Sequence, residues 1–191
     1  LGALFVRNTS TVYNHLARYF AQRGDLELSF ISFERAFELN PKQFAQESPR
    51  LSQTYLQRAD LLQGQQKLAG AWLAYRMALQ FDASNTNARI NYGWLFYRQR
   101  QWSEAISEFE TVLTHGPNSV AQFNLALAYA AMGDRSRAEE IYADAIVAFG
   151  VQEAVRIDAV GDLHALVERD SSLVVLLGMF ATEHAVGVPA P

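Results

Sequence analysis

No cysteine occurs among the 191 residues of the chain. Its absence excludes disulfides, thiolate zinc sites, iron–sulfur clusters and cysteine nucleophiles. The compartment stays open between cytoplasm and periplasm, because helical proteins of either can lack cysteine. Proline and glycine are also scarce, at 5 and 11 residues, which excludes collagen-like and proline-rich chains. Half of the residues are hydrophobic, as in a folded protein rather than a disordered one.

Clusters of basic residues are missing as well. The net charge is −4, and residues 119–191 hold four basic and ten acidic side chains. A nucleic-acid interface needs clustered lysine and arginine to replace the counterions of the phosphates. We therefore expect no nucleic-acid partner.

A membrane-spanning segment is also missing, since such a helix needs about 20 apolar residues. The longest apolar runs are Leu173–Leu177 and Ala3–Val6. We interpret residues 1–9 as a lead-in that supplies the first turns of a helix. The alternative is that Leu1–Val6 ends an upstream membrane segment, which would tether the chain to a membrane.

One residue pattern recurs four times along the chain. The copies are marked by Ala36, Ala78, Val112 and Ala145, which are spaced 42, 34 and 33 residues apart. Each copy has a small residue at one place in its first helix, where two helix backbones can approach closely. These small residues are Ala17, Ala59, Gly93 and Ala126.

The pattern resembles the tetratricopeptide repeat, a helix–turn–helix unit of about 34 residues. The resemblance covers residues 10–150 and implies an all-α fold, a right-handed α-solenoid of helix pairs with C-terminal capping helices. It departs from the family at Ser29, Arg58 and Val112, where alanine or leucine is usual. The second copy also lacks the Gly-Asp turn and the closing proline. The units are predicted at 10–43, 52–85, 86–118 and 119–150, with an insertion near 44–51.

Helix periodicity and helix-breaking residues predict two helices in each unit. The predicted helices cover 10–23, 26–39, 49–63, 66–80, 86–99, 102–114, 119–132 and 135–148. The insertion near 44–51 is expected to disturb the stacking of the first unit on the second. Capping helices are predicted over 151–184, because a repeat array needs an element that covers its last open face. Residues 185–191 are predicted to be a frayed tail.

The resemblance implies that the first helix of each pair lines a concave inner face. Amide side chains recur there and can both donate and accept hydrogen bonds, which suits the backbone of an extended peptide. The alternative is that Asn91 and Asn124 bridge neighbouring helices. The predicted groove residues are Asn14, His15, Arg18, Gln57, Asp60, Ile90, Asn91, Trp94, Tyr97, Arg98, Phe123, Asn124 and Leu127.

Some relatives bind the acidic tails of heat-shock chaperones with a clamp that includes lysines. No lysine faces the predicted groove, so this clamp is not expected. Trp94 and Arg98 lie four residues apart on one helical face, where a stacking contact is feasible. In the alternative, Trp94 packs against its neighbouring unit.

The segment Leu173–Phe180 is apolar on every side. Burial against Val155–Val167 is one interpretation, and a surface for a partner or a second copy is the other. The residues of this predicted interface are Leu173, Val174, Leu176, Leu177 and Phe180.

Chemistry-bearing motifs are missing from the sequence. The four histidines lack metal-ligand spacing, and phosphate-binding or nucleophile-elbow glycine motifs do not occur. We therefore expect no enzyme activity, no cofactor and no metal.

The leading hypothesis is a non-enzymatic adaptor or scaffold whose groove holds a peptide or segment of a partner protein within a larger assembly. A second hypothesis is a structural or self-assembling subunit that uses its outer face and the C-terminal apolar helix. A third is an accessory repeat domain of a larger membrane protein, glycosyltransferase or ligase.

Overall fold

The computed structural model describes residues 2–45 and 48–181, and every regular element in those ranges is helical. The predicted all-α class of helix–turn–helix repeats is confirmed. Eight longer helices come first: α1 (Gly2–Gln22), α2 (Leu26–Leu39), α3 (Ser48–Gly64), α4 (Leu68–Phe81), α5 (Thr86–Arg98), α6 (Trp102–Leu113), α7 (Ser119–Met132) and α8 (Arg135–Phe149). Three shorter ones follow: α9 (Val151–Arg156), α10 (Ala159–Val167) and α11 (Val174–Ala181).

The helix bounds differ from the prediction mainly at the start of the chain. Helix α1 begins at Gly2 rather than at residue 10, so the predicted lead-in is part of the helix. No proline interrupts this stretch, and an established helix extends at little cost per residue. A 3₁₀ turn, Pro41–Gln43, precedes the predicted insertion near 44–51, and α3 begins within that range at Ser48. The predicted tail 185–191 lies outside the described residues.

The four turns within the helix pairs share one backbone geometry. The residue before the second helix sends its N–H back to a carbonyl five residues earlier, which is the bond of a Schellman motif. These bonds run from Asp25 to Phe20, from Lys67 to Leu62, from Gln101 to Phe96 and from Asp134 to Tyr129, at 3.0, 2.9, 3.0 and 3.0 Å.

This turn requires a positive φ at one residue, which glycine adopts at no steric cost. Gly24 and Gly133 supply it in the first and fourth pairs, with φ of 79° and 94°. Gln66 and Arg100 supply it in the second and third pairs, each with φ of 60°. The second pair therefore makes the same turn without the Gly-Asp sequence.

The chain divides into two compact units, Leu1–Tyr92 and Gly93–Pro191. In the first unit, α1 packs on α2, and α2 also packs on α4. Two buried serines fasten the first pair: Ser10 Oγ donates to the Ala36 carbonyl at 2.8 Å, and Ser29 Oγ donates to the Ala17 carbonyl at 2.9 Å. Ser29 thus replaces the usual alanine with a satisfied buried hydroxyl.

An aromatic cluster forms the centre of the first unit. The rings of Phe33 and Phe81 meet edge to face at 5.9 Å, and Tyr55 stacks on Phe81 at 5.6 Å. Such ring pairs stabilise a core beyond the area that they bury.

In the second unit, α7 packs on α6 and α8, while α10 packs on α7 and α11 packs on α8. Phe123, Tyr142 and Phe180 join α7, α8 and α11 in one ring cluster, with centroids 5.5–6.3 Å apart. The C-terminal helices therefore complete the core of this unit.

The predicted small residues lie at helix contacts. Ala17, Ala59 and Ala126 are fully buried. A Cβ atom built on Gly93 would lie 2.7 Å from Phe109 Cε1, and the Phe109 ring is itself fully buried. Only glycine leaves room for that ring against the α5 backbone.

The first prediction concerns the turns. We expect Gln66→Gly to raise the free energy of unfolding by about 1 kcal/mol, because glycine removes the cost of a left-handed residue. Gly133→Ala should lower it by a similar amount. Chemical denaturation measures both, and a loss of stability in Gln66→Gly would contradict the turn assignment.

The second prediction concerns the contact at Gly93. We expect Gly93→Ala to destabilise the protein by roughly 1–3 kcal/mol through overpacking against Phe109. The matched control is Gly178→Ala in α11, where the added methyl group meets open space. That control should stabilise its helix by roughly 0.5–1 kcal/mol. Equal effects in a thermal melt would refute the close contact.

Candidate functional site

The predicted groove residues of the first pair lie at the surface of α1. His15 and Arg18 are exposed, and Asn14 is half-buried. Asn14 Oδ1 is buried and has no hydrogen-bond partner among the described residues. Gln57 on α3 is exposed as well.

Asp60 joins three helices of the first unit. Its Oδ1 accepts a hydrogen bond from the Tyr75 hydroxyl on α4 at 2.7 Å and another from Asn91 Nδ2 on α5 at 2.9 Å. Burial raises the pKa of Tyr75, and the hydrogen bond to Asp60 raises it further. Asn91 therefore bridges neighbouring helices, as in the alternative interpretation, and Asp60 is its partner.

Asn124, the other amide of that interpretation, is half-buried on α7.

A cleft opens between α1 and α3 in the first unit, with a volume of about 460 Å³. We call it the α1–α3 cleft. Its lining residues are Arg18, Ala21, Gln22, Phe33, Arg50, Leu51, Thr54, Tyr55 and Arg58. Within the described part of the chain, these residues include three arginines and no carboxylate.

Three residues of α3 are less buried than their counterparts on α7. On α7, Ala121, Leu125 and Ala128 are buried. The corresponding residues of α3 are Thr54, Arg58 and Leu61, of which Thr54 and Leu61 are exposed and Arg58 is half-buried. Arg58, one of the departures from the repeat pattern, lines the cleft.

Tyr55 also lines the α1–α3 cleft. Burial raises the pKa of Tyr55 to about 12. The charge of Arg58, a hydrogen bond with Ser29 and the charge of Arg18 each act to lower it. The phenol thus stays neutral at physiological pH, beside the cationic arginines of the cleft.

The inner face of the second unit is covered by the chain itself. Two of the predicted groove residues, Phe123 and Leu127, are buried, since these side chains expose only 1% and 2% of their surface. Phe123 packs on Phe180 of α11, with ring centroids 6.2 Å apart. Ile90, in the first unit, is also buried, at 7% exposure, and is not available to a ligand.

A second cavity of about 330 Å³ remains between α5 and α10 in the second unit. We call it the α10 cavity. It retains the predicted groove residues Trp94, Tyr97 and Arg98. Trp94 stacks on Tyr97, with centroids 4.8 Å apart and planes 11° apart.

Sequence reasoning missed the other residues of the α10 cavity. They are Arg100, Trp102, Asp162, Ala165, Leu166 and Arg169. Four of these six belong to α10 or the residues just after it, outside the repeats. The repeat pattern of the sequence contains no information about where a segment outside the repeats packs.

The predicted C-terminal interface is mostly interior. Leu173, Leu176 and Phe180 are buried, and Leu177 is partly buried. Only Val174 of this set is exposed. For these three residues the burial interpretation holds rather than the interface one, because α11 packs against α10 and α8.

Across 2–45 and 48–181, no group of three or more histidine or carboxylate side chains is arranged to hold a metal ion. No described helix is long and apolar enough to cross a membrane.

Comparisons with known proteins agree with this architecture. Two sequence profiles of the family described as tetratricopeptide repeat match residues 10–43 and 120–149. A human relative, the intraflagellar transport protein 88 homolog, is 37% identical over 73 residues. That alignment covers 36% of this chain and 9% of the relative, so the chain spans less than a tenth of its length.

Two solved structures share the fold. The pilF protein of Pseudomonas aeruginosa has a TM-score of 0.51 at 22% identity, covering 100% of this chain and 80% of that one. A tetratricopeptide repeat protein from Parabacteroides merdae has a TM-score of 0.51 at 16% identity, covering 93% and 74%. At these identities the likeness shows the fold alone.

The third prediction tests the role of Asp60. We expect Asp60→Ala to lower the free energy of unfolding by about 1–2 kcal/mol. The Asn91 amide loses its acceptor, and the Tyr75 hydroxyl keeps only the longer bond to Gln63 Oε1, at 3.1 Å. Gln57→Ala, on the exposed surface of the same helix, should change it by less than about 0.5 kcal/mol. Urea denaturation measures both, and equal small effects would show that Asp60 is free for a ligand.

Proposed function

Because the chain carries tetratricopeptide repeats, which form protein-interaction scaffolds, we propose that it is a non-enzymatic adaptor for a partner protein. The partner contributes an acidic segment that binds in the α1–α3 cleft. The observation that carries the proposal is the set of three arginines on the walls of this cleft, without a carboxylate among its described lining residues.

The charge of the cleft selects the chemistry of the segment. Among the described residues, neither Arg18 nor Arg58 forms an ion pair within the chain. A guanidinium group binds a carboxylate through two parallel hydrogen bonds, which gives both strength and orientation. A segment rich in glutamate or aspartate is the complementary ligand.

The shape of the cleft supports a segment rather than a folded surface. Its volume of about 460 Å³ is in the range of sites that enclose a few side chains. Leu51, Phe33 and Tyr55 add apolar surface beside the arginines. Side chains of an extended or helical segment can enter this space, while the partner's fold stays outside.

The first unit suits this role better than the second. The inner face of α7 is buried under α10 and α11, so a guest there has to displace part of the core. The α1–α3 cleft is open without any rearrangement. Arg18, a predicted groove residue, lines the cleft, whereas Phe123 and Leu127, predicted on α7, are buried.

A second candidate is an accessory repeat domain within a longer protein. The observation that favours it is the length of the human relative, of which this chain spans 9%. In that case the cleft serves the same purpose, and the partner segment can belong to the same polypeptide. The sequence of the complete gene distinguishes this arrangement from a separate adaptor.

The fourth prediction is a peptide-binding test. When a random library of decapeptides is selected for binding to the chain, the selected peptides should be enriched in glutamate and aspartate. The double variant Arg18→Glu, Arg58→Glu should weaken binding of the selected peptides at least tenfold. A tenfold loss of affinity corresponds roughly to the free energy of one charged hydrogen bond. Affinity is measured by isothermal titration calorimetry at two salt concentrations.

The matched control is Lys67→Glu, which makes the same change in charge at an exposed residue outside the cleft. It should leave the affinity within about twofold, because exposed charges at a distance are screened by salt. Selected peptides that are neutral, or that bind the double variant equally well, would contradict the acidic-segment proposal.

A further inference from the structure

The α10 cavity differs from the α1–α3 cleft in the elements that form it. Helix α5 and the start of α6 provide one side, and α10 with the residues after it provides the other. Its volume of about 330 Å³ lies in the range of small-ligand sites. It belongs entirely to the second unit, so its role is independent of the cleft.

Aromatic rings form one wall of the α10 cavity. Trp94 and Tyr97 are stacked at 4.8 Å, and Trp102 lies against Tyr97 at 5.1 Å with planes 56° apart. Trp94 is only half-buried, so part of its surface faces the space. Such a wall offers a flat apolar surface on which a planar ring can stack.

Arginines from both sides border the same space. Arg98 and Arg100 come from the end of α5 and its turn, and Arg169 comes from the residues after α10. Asp162 is the carboxylate among the lining residues. The border of the cavity therefore carries more positive than negative charge, although the second unit as a whole is acidic.

Arg100 occupies a backbone position that disfavours it. Its φ of 60° is one that Gly24 and Gly133 supply in the equivalent turns of the first and fourth pairs. A non-glycine residue costs about 1–2 kcal/mol in this conformation. Here the costly residue is an arginine that lines the cavity.

We infer that the α10 cavity binds an aromatic anion. A planar ring lies against Trp94 and Trp102, and its carboxylate or phosphate group pairs with Arg100 and Arg169. Guanidinium groups are suited to both anions because they donate two parallel hydrogen bonds. The cavity accepts such a group either as a free small molecule or as a phosphorylated tyrosine of a partner chain.

One carboxylate, Asp162, lines the cavity, against three arginines. Burial raises the pKa of Asp162, and the neighbouring Asp158 raises it further. The Tyr97 phenol is neutral, since burial, assisted by Asp162 and opposed by Arg169, raises its pKa to about 12.

The fifth prediction tests the site with defined probes. Phenyl phosphate and indole-3-acetate represent the free ligand, and a phosphotyrosine pentapeptide represents the partner residue. Tryptamine and the unphosphorylated pentapeptide are the matched compounds without the anion. Isothermal titration calorimetry on the whole chain should show one binding site for at least one anionic probe and at least tenfold weaker binding of its matched compound.

Variants separate binding from folding. Arg100→Gly should raise the melting temperature, because glycine suits the turn, yet weaken the anion about tenfold or more. Gln66→Gly makes the same turn change in the second pair and should raise the melting temperature without altering the affinity. Arg169→Ala should weaken binding to a similar extent from the opposite side of the cavity.

The outcomes distinguish the two ligand sources from each other and from a failure of the inference. Binding of the free probes supports a small-molecule site, and binding of the phosphopeptide alone supports a partner residue. Equal binding of tryptamine, no binding of any anionic probe at millimolar concentration, or unchanged affinity in both arginine variants overturns the inference. None of these outcomes bears on the α1–α3 cleft, because its lining residues are different.

Discussion

A small residue at the contact between the two helices is the feature on which each helix pair depends. At Gly93 the buried Phe109 ring occupies the space where a side chain would begin. The alanines at the equivalent places of the other pairs are fully buried. Once these contacts fix the distance between two helices, the larger residues three or four positions away can fill the layers beside them.

The two units use the same helix pair and differ in what covers its inner side. In the first unit Arg18 and Arg58 line the α1–α3 cleft. In the second unit α10 packs on α7 and α11 packs on α8, and Phe180 lies against Phe123. The helices that cover α7 and α8 here lie outside the repeated pattern.

The turns show how a fold tolerates a locally unfavourable sequence. Gln66 and Arg100 adopt the same left-handed conformation as the glycines of the other pairs, since the packing of two long helices outweighs a cost of about 1–2 kcal/mol at one residue. Asp25 and Asp134 also cap the second helix of their pairs through their side chains, whereas Lys67 and Gln101 do not. A glycine and a capping aspartate therefore stabilise the turn, but the turn also forms without them.

The sequence by itself determined the repeated helix pairs and the bounds of most helices, because helix periodicity, turns and small contact residues are encoded within about 34 positions. Only the tertiary structure decided which predicted groove residues stay accessible. Trp94 and Arg18 border open space, whereas Phe123 and Leu127 are buried under helices that come later in the chain. Burial depends on which distant segment packs on a face, and a periodic pattern contains no information about the docking of a segment outside its period.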